Sequence, residues 1–514
     1  MSGGEAERVA AAGRVPPGRA SLDDERPYRQ GELALSAGEM RRVGRQVVDL
    51  VVERLLGVAQ APPHAVLGVA EARELVGREV PEEGADLADL VERVARDVLP
   101  QGVRFDHPRC FAFVPTTGNY PAVLADALAS AFLSVPGAWL VGSGPTQIEL
   151  TALGWLTGLL GLPDSFGGVF VSGGSVANLT ALTAARDDRL GGDLSRARLY
   201  CSTQAHPSVA RAVHVLGFGR DQLCALPPGP GLRLDARAVR ERVVADLAAG
   251  LRPFAVVATV GTTSTGAVDP LPELSAVCRE FGLWLHADGA YGAAAALTSR
   301  GRERCAGLAW VDSLTVDPHK WLFQPYEAGC VLVRDPAVLR ASFRMDRHRL
   351  DTGYLAPARA TGEEVNLDDY GPQQSRGLRA LKLWLSLSAF GAAAFRRAVD
   401  HGLDLAEYAG ARIAAHPDLE LVTPPALGIV TFRYRGGGRA PQGGGSKREG
   451  GGAAPDGGLQ ERVSAAVCAT GDAMVLTTEV AGARCLRLCT INPASTEADI
   501  DRTLALVATA GAAL

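Results

Sequence analysis

The chain has 514 residues, 47% of them hydrophobic and 21% charged, the balance of a soluble globular protein long enough for two or three domains. Its net charge of −5 gives no electrostatic footprint for nucleic acid or an anionic membrane. No apolar run reaches the roughly 18 residues of a membrane span. The nine cysteines are odd in number, form no CxxC pair and lie partly in apolar runs, so buried thiols in a reducing cytoplasm are expected. Cys485 and Cys489 have no histidine or third cysteine beside them, so no metal site is expected.

Met1 to Gln30 is polar and Arg-rich without an apolar core, which excludes a signal peptide and predicts disorder. Ser36-Ala37-Gly38-Glu39 reads as a capping box. Met40, Val43, Val47, Leu50 and Val51 follow at helical spacing, so a helix to about Leu56 is predicted, with an apolar stripe to be covered by its own body or by a second subunit. From Gly167 strands and helices alternate. Strands are predicted at Gly168–Val171, Arg198–Cys201, Phe254–Val260, Leu283–Ala287, Leu314–Val316 and Cys330–Val333, with helices between most of them. Alternation of this kind implies an α/β fold, a mainly parallel sheet with helices on both faces. Arg344 to Pro372 is a long polar segment of the kind that forms lids, and a helix returns at Leu378 to Phe390. The expected division is a tail (1–30), an N-terminal helical segment (31–118), a large domain (119–390) and a small C-terminal α/β domain (391–514). Within the last, 435–458 carries three glycine triplets and reads as a flexible surface insertion.

Four features fall at predicted strand ends. Ser172-Gly173-Gly174-Ser175 opens a helix, where glycines admit close backbone approach and free N–H groups bind phosphate. His206 follows the strand ending at Cys201 and offers a flat ring for stacking. Asp288 ends the run Leu283-Trp284-Leu285-His286-Ala287, and a buried carboxylate needs a partner such as a protonated pyridine nitrogen. Lys320, in Asp317-Pro318-His319-Lys320-Trp321, lies just past a buried strand, where shielding from water would lower the amine's pKa and make it a nucleophile toward an aldehyde. Taken singly, each has an ordinary structural reading as turn, loop histidine, helix cap or surface lysine. Taken together they meet the needs of pyridoxal 5'-phosphate (PLP).

These residues resemble the group II PLP-dependent amino-acid decarboxylases, which include the aromatic-L-amino-acid, histidine, tyrosine and glutamate enzymes. The resemblance rests on Asp317 to Trp321, on His286-Ala287-Asp288-Gly289-Ala290-Tyr291 and on Gln204-Ala205-His206, with weaker matches at Phe113 to Thr116 and Ser375 to Lys382. It implies fold type I with a seven-stranded sheet, and a homodimer with its active site at the subunit interface. By the same resemblance Lys320 would carry the cofactor as a Schiff base, Asp288 would pair with the ring nitrogen and His206 would stack on the ring. Gly173, Gly174 and Ser175 would hold the phosphate, helped by Thr262 and His319, with Ala290 beside the cofactor. Phe105, Phe113, Pro115 and Thr116 would line the substrate pocket, and the helix after Ser36 would be exchanged between subunits. Tyr354, in the long polar segment, would return a proton to Cα. Gly377 and Cys110 depart from the family pattern and leave the substrate open. Phe105, Phe113 and Trp139 favour an apolar or aromatic amino acid, and Arg376 is a candidate for an acidic one. The alternatives are an aldehyde synthase or aminotransferase on the same fold, or a non-catalytic dimeric scaffold.

Overall fold

The computed structural model describes residues 33–77, 79–344, 362–436 and 458–514. The tail 1–30, Tyr354 and the glycine-rich insertion, apart from its ends, lie outside the described residues. The chain divides into two units, Met1–Val103 and Arg104–Leu514. The stretch 104–118, which the sequence grouped with the N-terminal helices, therefore belongs to the second unit.

In the first unit the predicted helix is present as α1 (Ala37–Leu56), with Ser36 as its N-cap. The Ser36 hydroxyl accepts from the Glu39 N–H at 3.1 Å. Two shorter helices follow, α2 (Val69–Val76) and α3 (Leu87–Arg93). The Gln46 amide ties α1 to α3 by donating to the Ala88 carbonyl at 3.1 Å and to Glu92 Oε2 at 3.0 Å. Val47, Val48, Val52 and Leu56 of α1 remain exposed.

The second unit is built on a seven-stranded sheet of β1 (Gly167–Val171), β2 (Ala197–Ser202), β3 (Leu223–Leu226), β4 (Arg252–Thr259), β5 (Trp284–Asp288), β6 (Ser313–Val316) and β7 (Gly329–Val333). The strand order is β1-β7-β6-β5-β4-β2-β3. β3, β2, β4, β5 and β6 run parallel, and β7 is antiparallel to both of its neighbours, β6 and β1. β5, β6 and β7 are buried along their whole length, which explains their near-continuous apolar sequences.

Alternate residues of the central strands feed two cores. Tyr200, Val256, Ala258, Leu285 and Ala287 pack on one face against α4 (Trp139–Leu160), α7 (Ala236–Ala248) and α8 (Leu271–Phe281). Leu199, Cys201, Ala255, Val257 and Trp284 pack on the other against α5 (Gly174–Leu190) and α6 (Pro207–Val215). The period of two along each strand thus builds a three-layer α/β sandwich.

The C-terminal part carries its own four-stranded antiparallel sheet in the order β10-β11-β9-β8, made of β8 (Leu419–Ala426), β9 (Ile429–Tyr434), β10 (Leu476–Val480) and β11 (Ala483–Cys489). Helices Ala392–Ala415, Leu459–Ala469 and Glu497–Ala512 cover it, and Phe111 from the far end of the chain completes its core. The Phe111 N–H donates to the Met474 carbonyl, and the Phe111 carbonyl accepts from Cys489, both at 3.0 Å.

A buried ion pair anchors β1. Arg376 Nη2 donates to Glu149 Oε1 at 2.8 Å and Nη1 to the Phe170 carbonyl at 2.9 Å, while Glu149 Oε1 also accepts from the Phe170 N–H at 2.9 Å. Arg376 is only 5% exposed and both of its terminal nitrogens are taken up in this way, which removes it as a receptor for an acidic substrate. Leaving Glu149 as a lone buried charge is costly, so Arg376→Met is expected to lower stability by about 3–5 kcal/mol. Urea unfolding should show this loss, and Glu149→Met in the same chain should restore most of it.

Candidate active site

In a parallel sheet the C-terminal strand ends share one edge, and loops leaving that edge converge. Here β1, although bounded by an antiparallel neighbour, runs in the same sense and delivers Ser172 to the same edge. A cavity of about 360 Å3 lies there, lined among others by Gly174, His206, Asp288, His319 and Lys320. Lys320, Asp288 and His206 thus come from three separate strand ends into one cavity.

The first turn of α5 opens on the cavity through Gly173, Gly174, Ser175 and Val176. Glycine is required here by packing. A Cβ on Gly174 would lie 2.9 Å from Asp317 Oδ2 and 3.1 Å from Ala290 Cβ, and one on Gly329 of β7 would lie 2.3 Å from the Gly173 Cα. The helix N-terminus is therefore stripped of side-chain bulk and able to receive an anion. Thr262, expected to assist, is turned into its own loop. Its hydroxyl pairs with Thr265 at 2.9 Å and accepts from the Ala267 N–H at 3.1 Å. Gly261 and Thr263 line the cavity in its place.

Asp288 is 5% exposed at the end of β5. Oδ2 accepts from Asn178 Nδ2 at 2.9 Å, and Oδ1 from the Ala290 N–H at 3.2 Å. His206 is the N-cap of α6, its Nδ1 accepting from the Ser208 N–H at 3.2 Å. Desolvation lowers the imidazole's pKa against the opposing pull of Asp288. His319 Nδ1 accepts from the Ala328 N–H at 3.2 Å, and burial likewise lowers its pKa.

Lys320 departs from the expectation of a depressed pKa. Desolvation, the largest single effect, acts to lower it, but the carboxylate of Asp317, with Oδ2 at 2.9 Å from Nζ, joined by Asp288 and Tyr326, outweighs that and leaves the amine's pKa raised. Asp317 is 2% exposed, and its other oxygen, Oδ1, is buried without a hydrogen-bond partner.

The expected substrate wall is only partly realised. Val114 lines the cavity, whereas the Thr116 hydroxyl is spent on the Gln324 carbonyl at 2.7 Å, Pro115 is buried, and Trp139 is not among the lining residues. Phe105 and Phe113 reach the cavity through Tyr326, which lines it. The Phe105 ring is 5.9 Å from that of Phe113 and 6.1 Å from that of Tyr326, and the Tyr326 ring is 4.7 Å from that of His319. Sequence reading missed Asn178, Ser208, Asp317 and Tyr326. Asn178 was findable, since it lies one helical turn beyond Gly174 on the same face of α5.

The residues fit PLP. A glycine-cleared helix N-terminus suits its phosphate, a carboxylate held by two donors suits a protonated ring nitrogen, and a lysine stands within the same cavity. Residues 70–435 match the model of the pyridoxal-dependent decarboxylase conserved domain. The chain belongs to the pyridoxal-dependent decarboxylase family. This family member is 43% identical over 465 residues to the aromatic-L-amino-acid decarboxylase of Bacillus atrophaeus, covering 90% of this chain and 94% of that relative. It is 33% identical over 422 residues to the tyrosine decarboxylase of Oryza sativa subsp. japonica, with 78% of each chain covered. Among solved structures, Oryza sativa TDC with PLP and tryptamine superposes with a TM-score of 0.84 at 28% identity, covering 93% of this chain and 98% of that one. The decarboxylase is accordingly a PLP-dependent carboxy-lyase of fold type I.

The Lys320–Asp317 pair has a measurable consequence. An amine with a raised pKa is mostly ammonium at neutral pH, and only the neutral form attacks an aldehyde. Covalent capture of added PLP by the cofactor-free decarboxylase should therefore accelerate as pH rises from 7 to 9. Asp317→Asn removes the raising carboxylate and should shift this profile to lower pH, followed by growth of the visible absorbance of the bound cofactor.

Proposed function

We propose that this decarboxylase acts on an aromatic L-amino acid, releasing carbon dioxide and the corresponding amine. The observation that carries the reading is the convergence of Lys320, Asp288, His206 and the cleared N-terminus of α5 on one cavity. The aromatic preference draws on the linked rings of Phe105, Phe113 and Tyr326, and on relatives named for aromatic substrates.

In this reading Lys320 would tether the cofactor, Gly173, Gly174 and Ser175 would receive its phosphate, and His319 and Ala290 would flank it. Bound PLP supplies an electron sink for the pair left behind when the carboxylate departs. Asp288 stabilises positive charge on the ring nitrogen, and its two donors, Asn178 and Ala290, keep it oriented toward the cavity. His206, which lines the cavity, would cover the ring face. Tyr354, from the long polar segment, returns a proton to Cα. Lys320, displaced while substrate is bound, would hold its proton beside Asp317 and give it up when it takes the cofactor back and the product amine leaves.

The protein is further proposed to work in the cytoplasm as a homodimer. Exposed Leu128, Phe132, Leu133, Leu140 and Val141 support a second copy on the large unit, and the exposed apolar residues of α1 support exchange of that helix. Among the described residues no helix is long and apolar enough to cross a membrane.

Carbon dioxide release from a panel of L-amino acids tests the reading. With PLP added, kcat/KM for tryptophan, tyrosine or phenylalanine should exceed that for glutamate and histidine at least tenfold. Lys320→Ala should abolish both turnover and the visible absorbance. Preference for an acidic substrate, or hydrogen peroxide and aldehyde as the main products, would overturn it.

A further inference from the structure

Behind Asp288 lies a buried hydrogen-bond chain of which the scheme above uses only the Asn178–Asp288 bond. It runs from Trp284 through Ser313, His286 and Asn178, where it branches to Asp288 and, by way of Ser208, to His206. Trp284, Ser313, His286, Asn178, Asp288 and Ser208 are all at most 5% exposed. The direction of every bond in the chain can be worked out, because three of its members have only one role available.

The first is Asp288, whose carboxylate oxygen can only accept. Asn178 must therefore turn its Nδ2 toward Asp288 Oδ2 at 2.9 Å, and its second N–H then donates to Ser208 Oγ at 2.9 Å. This leaves Asn178 Oδ1 as an acceptor, filled by the Thr315 hydroxyl at 2.7 Å and by His286 Nε2 at 3.0 Å. His286 must carry its proton on Nε2. It is neutral, since burial pushes its pKa down to about 4 despite Asp288 nearby, so its Nδ1 is bare and accepts from the Ser313 hydroxyl at 2.8 Å. The second fixed member agrees from the far end, because the Trp284 indole N–H can only donate and does so to Ser313 Oγ at 2.8 Å.

The third fixed member is the Ser208 backbone N–H, which donates to His206 Nδ1 at 3.2 Å. Ser208 Oγ already accepts from Asn178, so its own proton is available for the same His206 Nδ1 at 2.8 Å. His206 Nδ1 is therefore bare and doubly engaged as an acceptor. The proton of the neutral ring sits on Nε2.

We propose that Asn178 is a positioning residue that fixes Asp288 and His206 together, holding His206 in its Nε2–H form so that the ring offers the cavity a hydrogen-bond donor and no base. The donor role rests on reading the cavity as the PLP site, whereas the tautomer follows from the hydrogen bonds alone.

The test is nitrogen-15 NMR of the histidine-labelled full-length protein, by magic-angle spinning of sedimented material, with His206→Asn and His286→Gln providing the assignments. In the wild type, with and without PLP, both His206 and His286 should show a bare Nδ1 and a protonated Nε2 at pH 7. A His206 protonated on Nδ1, or on both nitrogens, overturns the proposal. Asn178→Asp sets two carboxylates against each other and should raise the Kd for PLP at least tenfold, while the circular dichroism spectrum is kept. Unchanged PLP affinity in that variant would remove Asn178 from its role. Absence of decarboxylation with the tautomer intact would refute the proposed function and leave the tautomer assignment standing. An Nδ1–H His206 in an enzyme that does release carbon dioxide would refute only the chain.

Discussion

The site depends on keeping one carboxylate in the interior of an α/β sandwich. A buried carboxylate loses several kcal/mol of hydration unless donors replace its water. Asp288 recovers this through Asn178 and the Ala290 N–H, and Asn178 in turn has every hydrogen-bonding position filled. The side chain of a helix on one face thus locks the charge at the end of the central strand, and the same amide reaches the loop that carries His206. Buried polar networks are sensitive to any missing partner, and this one is complete from Trp284 to Asp288.

Electrostatics at the other side of the cavity follow from one short distance. Lys320 and Asp317 lie within a single turn, and their contact, with Asp288 and Tyr326 adding to it, outweighs the desolvation that alone would favour a neutral amine. The cofactor-free site is therefore closer to an ion pair than to a poised nucleophile. The helix N-terminus beside Asp317 adds a region favourable to anions, which the carboxylate shares with the expected phosphate position.

Much of the architecture was legible in the sequence because it is written in local patterns. Strands β5, β6 and β7 announced themselves as short apolar runs, and Ser36 as a helix start. What determines β7's antiparallel direction is not local, since it depends on which neighbour the returning chain meets. The cavity-lining residues were legible for a similar reason: Gly174, His206, Asp288 and Lys320 each lie at or shortly after a strand end. Residues that act through another side chain were not. Ser208 looks like any residue in the first turn of a helix, and Trp284 like ordinary core. The loop contacts of the Thr262 hydroxyl were not legible either, since a hydroxyl in a turn serves the turn first. Lys320's raised pKa was missed because the reading weighed burial without the carboxylate three residues earlier.

The antiparallel course of β7 sets the character of the lysine's mounting. The chain leaves β6 at Val316 and re-enters the sheet at Gly329, on the strand beside it, so the whole reactive stretch is a short arch with both feet clamped in hydrogen-bonded strands. Such an arch has little freedom to drift, and travel of the amine must come from torsions of its own four-carbon stem. A crane with a fixed base and a swinging jib is suited to handing a tethered load to an incoming partner and taking it back at the same place. Lengthening this arch by even one residue would cost more than far larger insertions elsewhere in the chain.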